Sequence, residues 1–315
     1  PAPGYHGPLP IPVRGARTML ARLLRIPVKL ARSIAIRYRD DALVVHWPIR
    51  HLVGRNWGDK LNPVLCRMIS GMNVVRAYDI FPVADRPVHF VIGSSLQRAQ
   101  KRRGIVWGAG FIDAGQGLRQ EPRRICAVRG QHSRERLREL GISSPEVVGD
   151  PAILMPRLYR PRRLARRWRA GVIAHCYELD LESVDGARLP DDVLAIDITG
   201  NLFDVIDQVC ACDEIFSSSL HGLICAEAYG VPSRWVRLSD RPAGDGFKFR
   251  DFYTSIDKSV GAENHRPADV ERAEDWLKLL GSAPPPVARD VLAARAEALY
   301  RACPFTPDAR RGGTD

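Results

Sequence analysis

A run of three serines followed by a histidine is the sharpest chemical signal in the sequence. It lies in EIFSSSLHGLICAEAYGVP, residues 214–232, where a strand pattern passes into a helical pattern within two residues. A helix N-terminus offers unpaired N–H groups and the positive end of a dipole, which suit a phosphate or a carboxylate. His221 can act there as an acid, a base or a phosphate ligand, although N-capping serines followed by a surface histidine are the alternative. Its neighbours, candidates for the same ligand, are Ser218, Ser219, Leu220 and Gly222.

A second candidate turn from strand to helix is HLVGRNWGDKLNP, residues 51–63. Its chemical residues are Asn56, Gly58 and Asp59. A glycine permits close approach of the backbone to a ligand. The carboxylate of Asp59 can accept a proton from a hydroxyl, or it can simply cap the helix that follows.

Three cations stand where an anion would be held. Arg129 follows the apolar run RICAV, and Lys248 and Arg250 follow a glycine-rich loop in GDGFKFRDF. A guanidinium presents a planar fork that matches carboxylate or phosphate, although a buried ion pair is the alternative for Arg129. The glycine–serine loop VIGSSL, residues 91–96, adds Ser94 and Ser95 as candidates, and the strand end at 171–178 adds His175.

The elements that position these residues alternate along the chain from residue 42 onward. Short apolar runs, typical of buried strands, are followed by amphipathic runs typical of helices. This alternation predicts an α/β protein of two Rossmann-like domains that face a cleft, with ligands at the carboxyl ends of the strands. The predicted strands are 42–47, 88–95, 104–110, 124–130, 146–153, 171–178, 193–198, 214–219 and 232–238.

The domain boundaries follow from changes in composition. We expect an N-terminal α/β domain on the acceptor side and a C-terminal one on the donor side that ends in two late amphipathic helices, 267–281 and 288–303. An arginine-rich segment joins them, although its LARRWRA stretch also fits a surface helix. The predicted divisions are a basic extension at 1–40, the two domains at 41–156 and 171–303, the junction at 157–170 and a disordered tail at 304–315.

Charge is concentrated at the start of the chain. The net charge is +11, and residues 1–39 hold eight Arg or Lys and no acidic residue. Residues 14–39 also show apolar residues at helical spacing, which predicts either contact with an anionic membrane surface or a helix packed on the protein itself. No apolar run is long enough to span a bilayer, and no signal-peptide pattern is visible. Seven scattered cysteines favour a reducing, cytoplasmic location and no metal cluster.

Taken in order, eight segments resemble the polysaccharide pyruvyl transferase family. They are NWGD, GSSL, VWGAGF, VRGQHS, VGDP, GVIAHCY, SSSLHG and KFRDF, and they span residues 45 to 255. The likeness is greatest to the branch that modifies bacterial exopolysaccharide repeat units. Many members have R-L-H-G at the histidine, whereas this chain, like that branch, has a serine, Ser219, in place of the arginine.

The resemblance implies a fold like that of the GT-B glycosyltransferases and a ketal pyruvyltransferase. Such an enzyme moves the pyruvyl group of phosphoenolpyruvate onto two hydroxyls of one sugar, with release of phosphate and without a cofactor or metal. We expect His221 to protonate C3 of the enol and Asp59, or else His175, to accept the proton of the hydroxyl. The expected donor ligands are Arg129, Lys248, Ser218, Ser219, Leu220, Gly222 and Arg250. The expected acceptor ligands are Asn56, Gly58, Ser94, Ser95 and His175.

The resemblance also bears on partners and location. Lipid-linked sugars are frequent acceptors in the family, so residues 14–39 are expected to touch the inner face of the cytoplasmic membrane. Oligomeric state is left open by the sequence. A GT-B glycosyltransferase that uses a nucleotide sugar is the second interpretation. A basic protein that binds nucleic acid or membrane is the third, but its arginines lack the interleaved aromatic residues of a stacking platform, so no nucleic-acid partner is expected.

Overall fold

The structure is a computed structural model that describes residues 25–37, 39–48, 56–81, 86–99, 103–165, 167–258, 267–272 and 274–311. The first structural unit contains one parallel sheet with helices on it. Its strands are β1 (Ala42–Val45), β2 (Asn73–Arg76), β3 (Val88–Phe90), β4 (Gly104–Trp107) and β5 (Arg124–Ala127). Its helices are α1 (Arg25–Arg37), α2 (Trp57–Ser70), α3 (Gln131–Glu139) and α4 (Met155–Leu158).

The second unit repeats this architecture. Its strands are β6 (Trp168–Ile173), β7 (Val193–Ala195), β8 (Cys212–Ser217), β9 (Ser233–Arg237) and β10 (Ala268–Asp269). Its helices are α5 (Leu202–Cys210), α6 (Leu220–Tyr229), α7 (Phe247–Ser255) and α8 (Asp275–Leu279). Two further helices close the chain, α9 (Arg289–Arg301) and α10 (Pro307–Arg311).

Both sheets have the same strand order. The first runs β2-β1-β3-β4-β5 and the second β7-β6-β8-β9-β10, with parallel pairing throughout. In each sheet the second strand lies on one side of the first strand and the third strand lies on the other side. The strand order therefore reverses between the first and third strands. Ligands of open α/β sheets bind outside the carboxyl ends of the strands at such a switch point. The predicted two-domain, GT-B-like α/β fold is thus confirmed.

Contacts across the two units hold them face to face. The indole nitrogen of Trp57, at the start of α2, donates to the carbonyl of Leu202 at 3.0 Å. The ammonium of Lys60, one turn later, donates to the carbonyls of Thr199 and Gly200. These contacts fix the first turn of α2, which follows β1, at the boundary between the two units.

Helix α9 and the segment after it pack against the first unit. The indole nitrogen of Trp107 on β4 donates to the carbonyl of Leu299 on α9 at 2.9 Å. Phe305 is buried edge-on against Trp107 and His89. The expectation of a disordered tail from residue 304 is therefore wrong through Arg311, because this aromatic contact anchors the segment to the first sheet.

Three predicted elements differ in the structure. Of the predicted strand 146–153 only Val148 forms a bridge, to Val128 just after β5, because Asp150 caps a 3₁₀ turn that begins at Pro151. The segment 267–281 is not one helix: Ala268 and Asp269 pair with β9, and the carboxylate of Asp275 accepts the backbone N–H groups of Glu271 and Arg272 in the turn before a shorter helix, Asp275–Leu279. The stretch LARRWRA is not helical, because β6 already begins at Trp168.

Candidate active site

A cavity of about 1460 Å³ lies between the two units, at the carboxyl ends of the strands that flank both switch points. The first unit contributes residues that follow β1 and β3, and the second unit contributes residues that follow β6 and β8. The position is the one that the shared topology favours for a ligand. Its wall includes eight of the predicted site residues: Asn56, Asp59, Ser94, Ser95, His175, Leu220, His221 and Lys248.

His221 lies in the first turn of α6, and its imidazole faces the other unit. A Cβ atom built on Gly58 would overlap the ring, so the glycine is what allows α2 and the imidazole to pack in direct contact. The Nε2 atom of His221 is buried and has no hydrogen-bond partner among the described residues. Burial, with smaller effects from Arg129 and Lys248, lowers the pKa of His221 to about 3. The imidazole is therefore neutral near neutral pH and can accept a proton.

Asp59 stands next to that contact, in the first turn of α2. The cap of α2 is Asn56, whose side-chain oxygen accepts a hydrogen bond from the backbone N–H of Gly58 at 3.3 Å. Asp59 is not the residue that caps the helix, and it lines the cavity half-buried. Burial raises its pKa to about 8, so the carboxyl group is mostly protonated near neutral pH. These protonation states are the reverse of those that the sequence-based roles of His221 and Asp59 require.

Lys248, in the first turn of α7, supplies a positive charge to the same cavity. Its side chain is buried, and within the described ranges it forms no salt bridge. Burial, followed by the charge of Arg129, lowers the pKa of Lys248 to about 8. A buried ammonium that keeps its proton near neutral pH without an ion-pair partner is a ready site for an anionic ligand.

The N-terminus of α6 faces this ammonium across the cavity. Ser219 is its N-cap residue, but the serine hydroxyl makes no capping hydrogen bond. The Ser219 Oγ atom is buried without a partner in the described part of the chain. The first turn of α6 therefore combines Leu220, an unpaired hydroxyl and an unpaired imidazole nitrogen at one end of a helix dipole, which favours a phosphate or carboxylate group.

Glu178, which the sequence did not single out, supports the second unit's side of the cavity from behind. Its carboxylate is fully buried and accepts hydrogen bonds from the hydroxyls of Ser218 and Ser239. The Ser218 hydroxyl in turn accepts the backbone N–H of His175 at 2.9 Å. Ser218 thus links the end of β8 to the end of β6. It lies behind the cavity wall and does not line the cavity.

Arg129 also lies behind the cavity wall. Its guanidinium is fully enclosed and forms a salt bridge with the equally enclosed Asp251 of α7, 3.0 Å away. It further donates to the Ser94 hydroxyl at 2.8 Å and to the carbonyl of Phe111. The structure therefore supports the buried ion pair over direct donor contact, because the donor nitrogens of Arg129 are taken by protein groups.

Two other donor-side candidates are not brought to the cavity surface. Arg250 turns back along its own loop, where it donates to the carbonyl of Asp245 at 2.9 Å. Gly222 packs inside α6, where an added Cβ atom would overlap the hydroxyl oxygen of Ser217. Its role in the structure is close contact between β8 and α6.

Another part of the cavity is lined by hydroxyl, imidazole and phenol groups. Ser95 presents a buried hydroxyl without a partner in the described chain. His175 also lines this part, and burial, followed by the charge of Lys248, lowers its pKa to about 4. Tyr177 and Tyr78 lie in the wall as well, and Arg98 donates to the Tyr78 hydroxyl at 3.3 Å. The sequence analysis missed these three, although Tyr177 lies two residues after His175 at the same strand end.

Substitution of Gly58 by alanine is expected to lower kcat by about 10²-fold, because displacement of a reacting group by an ångström has an effect of that size. The added methyl group would push the imidazole of His221 out of place. Steady-state kinetics and the melting temperature should be measured together.

The matched control is Gly186→Ala. Gly186 is exposed, and a Cβ atom there would meet a neighbour only at an ordinary 3.5 Å. Wild-type activity in Gly58→Ala would mean that the ring position at His221 is unimportant.

The chain is similar to known proteins in sequence and in part of its fold. The chain is 25% identical over 215 residues to the uncharacterized protein L143 of Acanthamoeba polyphaga mimivirus, which covers 67% of this chain and 73% of the viral protein. A solved structure of an uncharacterized protein from Klebsiella pneumoniae covers 78% of this chain and 98% of its own, with 11% identity and a TM-score of 0.41. The model of the family "Polysaccharide pyruvyl transferase" matches residues 80–240, which include both strand ends at the second switch point. Since this match covers slightly more than half of the sequence, the chain belongs to the polysaccharide pyruvyl transferase family.

Proposed function

We propose that the protein is a ketal pyruvyltransferase that uses phosphoenolpyruvate as donor. The acceptor would be a sugar with two suitably placed hydroxyls in an exopolysaccharide or lipid-linked repeat unit, and phosphate would be released. The observation that carries the proposal is one cavity lined by Asp59, His221 and Lys248, whose buried ammonium has no ion-pair partner among the described residues. The family membership supplies the reaction class.

The donor would lie between Lys248 and the first turn of α6. Phosphoenolpyruvate carries a carboxylate and a phosphate, and it needs more positive potential than one ammonium supplies. The helix N-terminus, with the unpaired hydroxyl of Ser219, provides the second anion contact. Electrostatic stabilisation of the departing phosphate by these groups is the largest contribution expected from the protein.

The first chemical step forms a tetrahedral adduct. Asp59, as the acid, gives its proton to C3 of the enol, and the first sugar hydroxyl attacks C2. His221, as the base, takes the proton of that hydroxyl. The adduct then carries a methyl group, the carboxylate, the phosphate and the sugar oxygen on one carbon. This assignment replaces the roles inferred from the sequence, because the lowered pKa of His221 leaves the imidazole without a proton to donate, whereas the raised pKa of Asp59 keeps its proton available.

The second step closes the ketal and restores both residues. The imidazolium of His221 returns its proton to the phosphate as the C2–O bond breaks, and the second hydroxyl attacks the oxocarbenium carbon. The carboxylate of Asp59 takes the proton of that hydroxyl. Each of the two residues gives up one proton and receives one, so the cycle requires no external acid or base.

The acceptor would occupy the part of the cavity that is lined by Ser95, His175 and Tyr177. Sugars present hydroxyls that need hydrogen-bond partners and apolar ring faces that pack on aromatic side chains. The unpaired Ser95 hydroxyl and the Tyr177 ring meet these two needs. Two hydroxyls of one ring must reach C2 in turn, so a rigid pair on a single sugar fits better than two separate sugars.

Phosphate release from phosphoenolpyruvate is the direct test. We expect release only with the right saccharide acceptor, together with a mass gain in that acceptor equal to pyruvate minus water. Lys248→Met should raise the KM for phosphoenolpyruvate by about tenfold or more, since a charge-assisted contact is lost. The donor alone should raise the melting temperature of the wild type, and this shift should shrink in the variant.

The matched control is Lys278→Met, which removes the same charge from the exposed surface of α8. It should leave both the KM and the thermal shift unchanged. Absence of any thermal shift with phosphoenolpyruvate in the wild type, together with a shift produced by a nucleoside diphosphate, would contradict the proposal and favour a nucleotide-sugar glycosyltransferase.

A further inference from the structure

Helix α1 carries its apolar residues on the side that faces solvent. Leu30 and Ala31 lie three and four residues after Pro27, and Ile34 lies four and three residues after them, so the four share one face of the helix, and all are exposed. Leu30 and Ile34 are 51% and 54% exposed. An amphipathic helix of a soluble domain normally turns such a face toward the core. This face therefore requires a partner outside the unit.

The opposite face already anchors α1 to the protein. Ile36 is buried in a small cluster against β1. The Ser33 hydroxyl accepts the backbone N–H of Phe81 at 2.8 Å, and the Lys29 ammonium lies 4.9 Å from the centre of the Phe81 ring. Rotation of the helix to bury Leu30 and Ile34 would break these contacts. The exposed apolar face is thus held outward by the fold.

The positive charge of α1 indicates which kind of partner this face binds. Helix α1 contains no acidic residue; Arg37 flanks its apolar stripe, whereas Lys29 and Arg32 lie on the side of the helix that faces Phe81 and the cavity. Along the sequence, residues 1–39 carry eight cations and no acid. An exposed apolar stripe on a basic helix without acidic residues fits the boundary between the headgroups and acyl chains of an anionic bilayer. In the described part of the chain no helix is long and apolar enough to cross a bilayer, so the contact is with the surface.

We propose that α1 docks the protein on an anionic membrane surface through Leu30 and Ile34. The neighbouring Ile26 and Val28, also exposed, extend the same contact. Both of these residues also line the large cavity, as do Lys29 and Arg32. Docking through α1 therefore brings one wall of the cavity close to the headgroups. The surface contact stands independently of the reaction catalysed in the cavity.

Vesicle flotation of the full chain tests this contact. Vesicles of phosphatidylcholine mixed with phosphatidylglycerol should bind the wild type, and vesicles of phosphatidylcholine alone should bind it more weakly. Added salt should reduce binding to the anionic vesicles. The double variant Leu30→Glu with Ile34→Glu should bind anionic vesicles roughly tenfold more weakly or worse, because two apolar groups no longer enter the bilayer.

A matched pair separates the helix face from total charge. Leu179 and Leu277 are 41% and 59% exposed and lie in the second unit. Leu179→Glu with Leu277→Glu makes the same change of charge and should bind vesicles as the wild type does. Equal loss in both double variants, or no binding by the wild type, would overturn the proposal. Dissociation of a wild-type oligomer by the α1 variant, without vesicle binding, would assign the face to a second copy of the chain and likewise overturn it.

Discussion

The Asp59→Asn variant is expected to lose about 10²–10⁴-fold in kcat, the usual contribution of a positioned proton donor. Asparagine keeps the size and polarity of the protonated carboxyl group but cannot give a proton to C3 of the donor. Binding of phosphoenolpyruvate should persist, because its anionic groups lie nearer to Lys248 and the α6 N-terminus. Phosphate release and a donor-induced thermal shift, measured on the same preparation, separate chemistry from binding.

The pH dependence gives an independent check on the role of Asp59. With a pKa of about 8, the carboxyl group is in its acidic form below that pH, so kcat at saturating phosphoenolpyruvate should fall by about tenfold for each pH unit above it. Lys248, whose pKa is also about 8, would act through donor binding, so kcat rather than kcat/KM isolates the effect of Asp59. The neutral form of His221 prevails above its pKa of about 3, so the imidazole imposes no loss near neutral pH. A profile that instead rises through pH 8 would show that Asp59 works as a carboxylate base, as the sequence-based roles had it.

The same substitution should leave the fold intact or strengthen it. The pKa of Asp59 is higher in the folded protein than the ordinary 3.8, so folding takes up a proton between that value and about 8. The contribution of Asp59 to stability is therefore full below pH 3.8 and is lost as the pH rises through 8. Asparagine has no proton to lose, so the variant should melt at or above the wild-type temperature near pH 8.

A second acidic residue on the cavity wall provides the control. Asp113 accepts a hydrogen bond from the backbone N–H of Gly115 at 3.0 Å and has no part in the proposed proton path. Asp113→Asn removes one carboxylate from the same wall and should change kcat by less than about tenfold. An equal loss in both variants would point to the electrostatic potential of the cavity rather than to proton transfer from Asp59.

The position of the candidate site could be predicted from the sequence, because it depends on local signals. His221 and Asp59 each follow a strand pattern and open a helix, and parallel sheets bring such turns to one edge. The order of the motifs also gave the family. The protonation states could not be predicted, since they depend on burial by the other unit: Gly58 of one unit touches the ring of the other.

The errors of the sequence analysis came from residues whose partners are distant in the chain. Arg129 has the sequence context of an anion ligand, but its partner Asp251 is 122 residues away. Strand β2 was not among the predicted strands. Its four residues are partly exposed, so they lack the apolar run of a buried strand. Phe305 looked like part of a polar tail, because the sequence does not show that Trp107 and His89 receive it.

The Arg129–Asp251 pair leads to the largest stability effect that we expect. Asp251→Ala should lower the free energy of unfolding by about 3–5 kcal/mol, because it leaves an enclosed guanidinium without its counter-charge. The variant also removes the acceptor of the Ser133 hydroxyl and backbone N–H, at 2.7 and 2.8 Å. Urea denaturation followed by tryptophan fluorescence measures the change.

Two further variants show whether the loss comes from the unpaired charge. Asp269→Ala breaks a salt bridge of similar geometry to Arg237, but both partners are more than half exposed, so stability should hardly change. Arg129→Met combined with Asp251→Leu removes both buried charges and should recover part of the loss, which a purely steric defect at position 251 would not allow. Since Asp251 and Lys248 share helix α7, the paired Arg129 also holds the donor-binding lysine against the first unit, and Asp251→Ala should raise the KM for phosphoenolpyruvate even where the variant is folded.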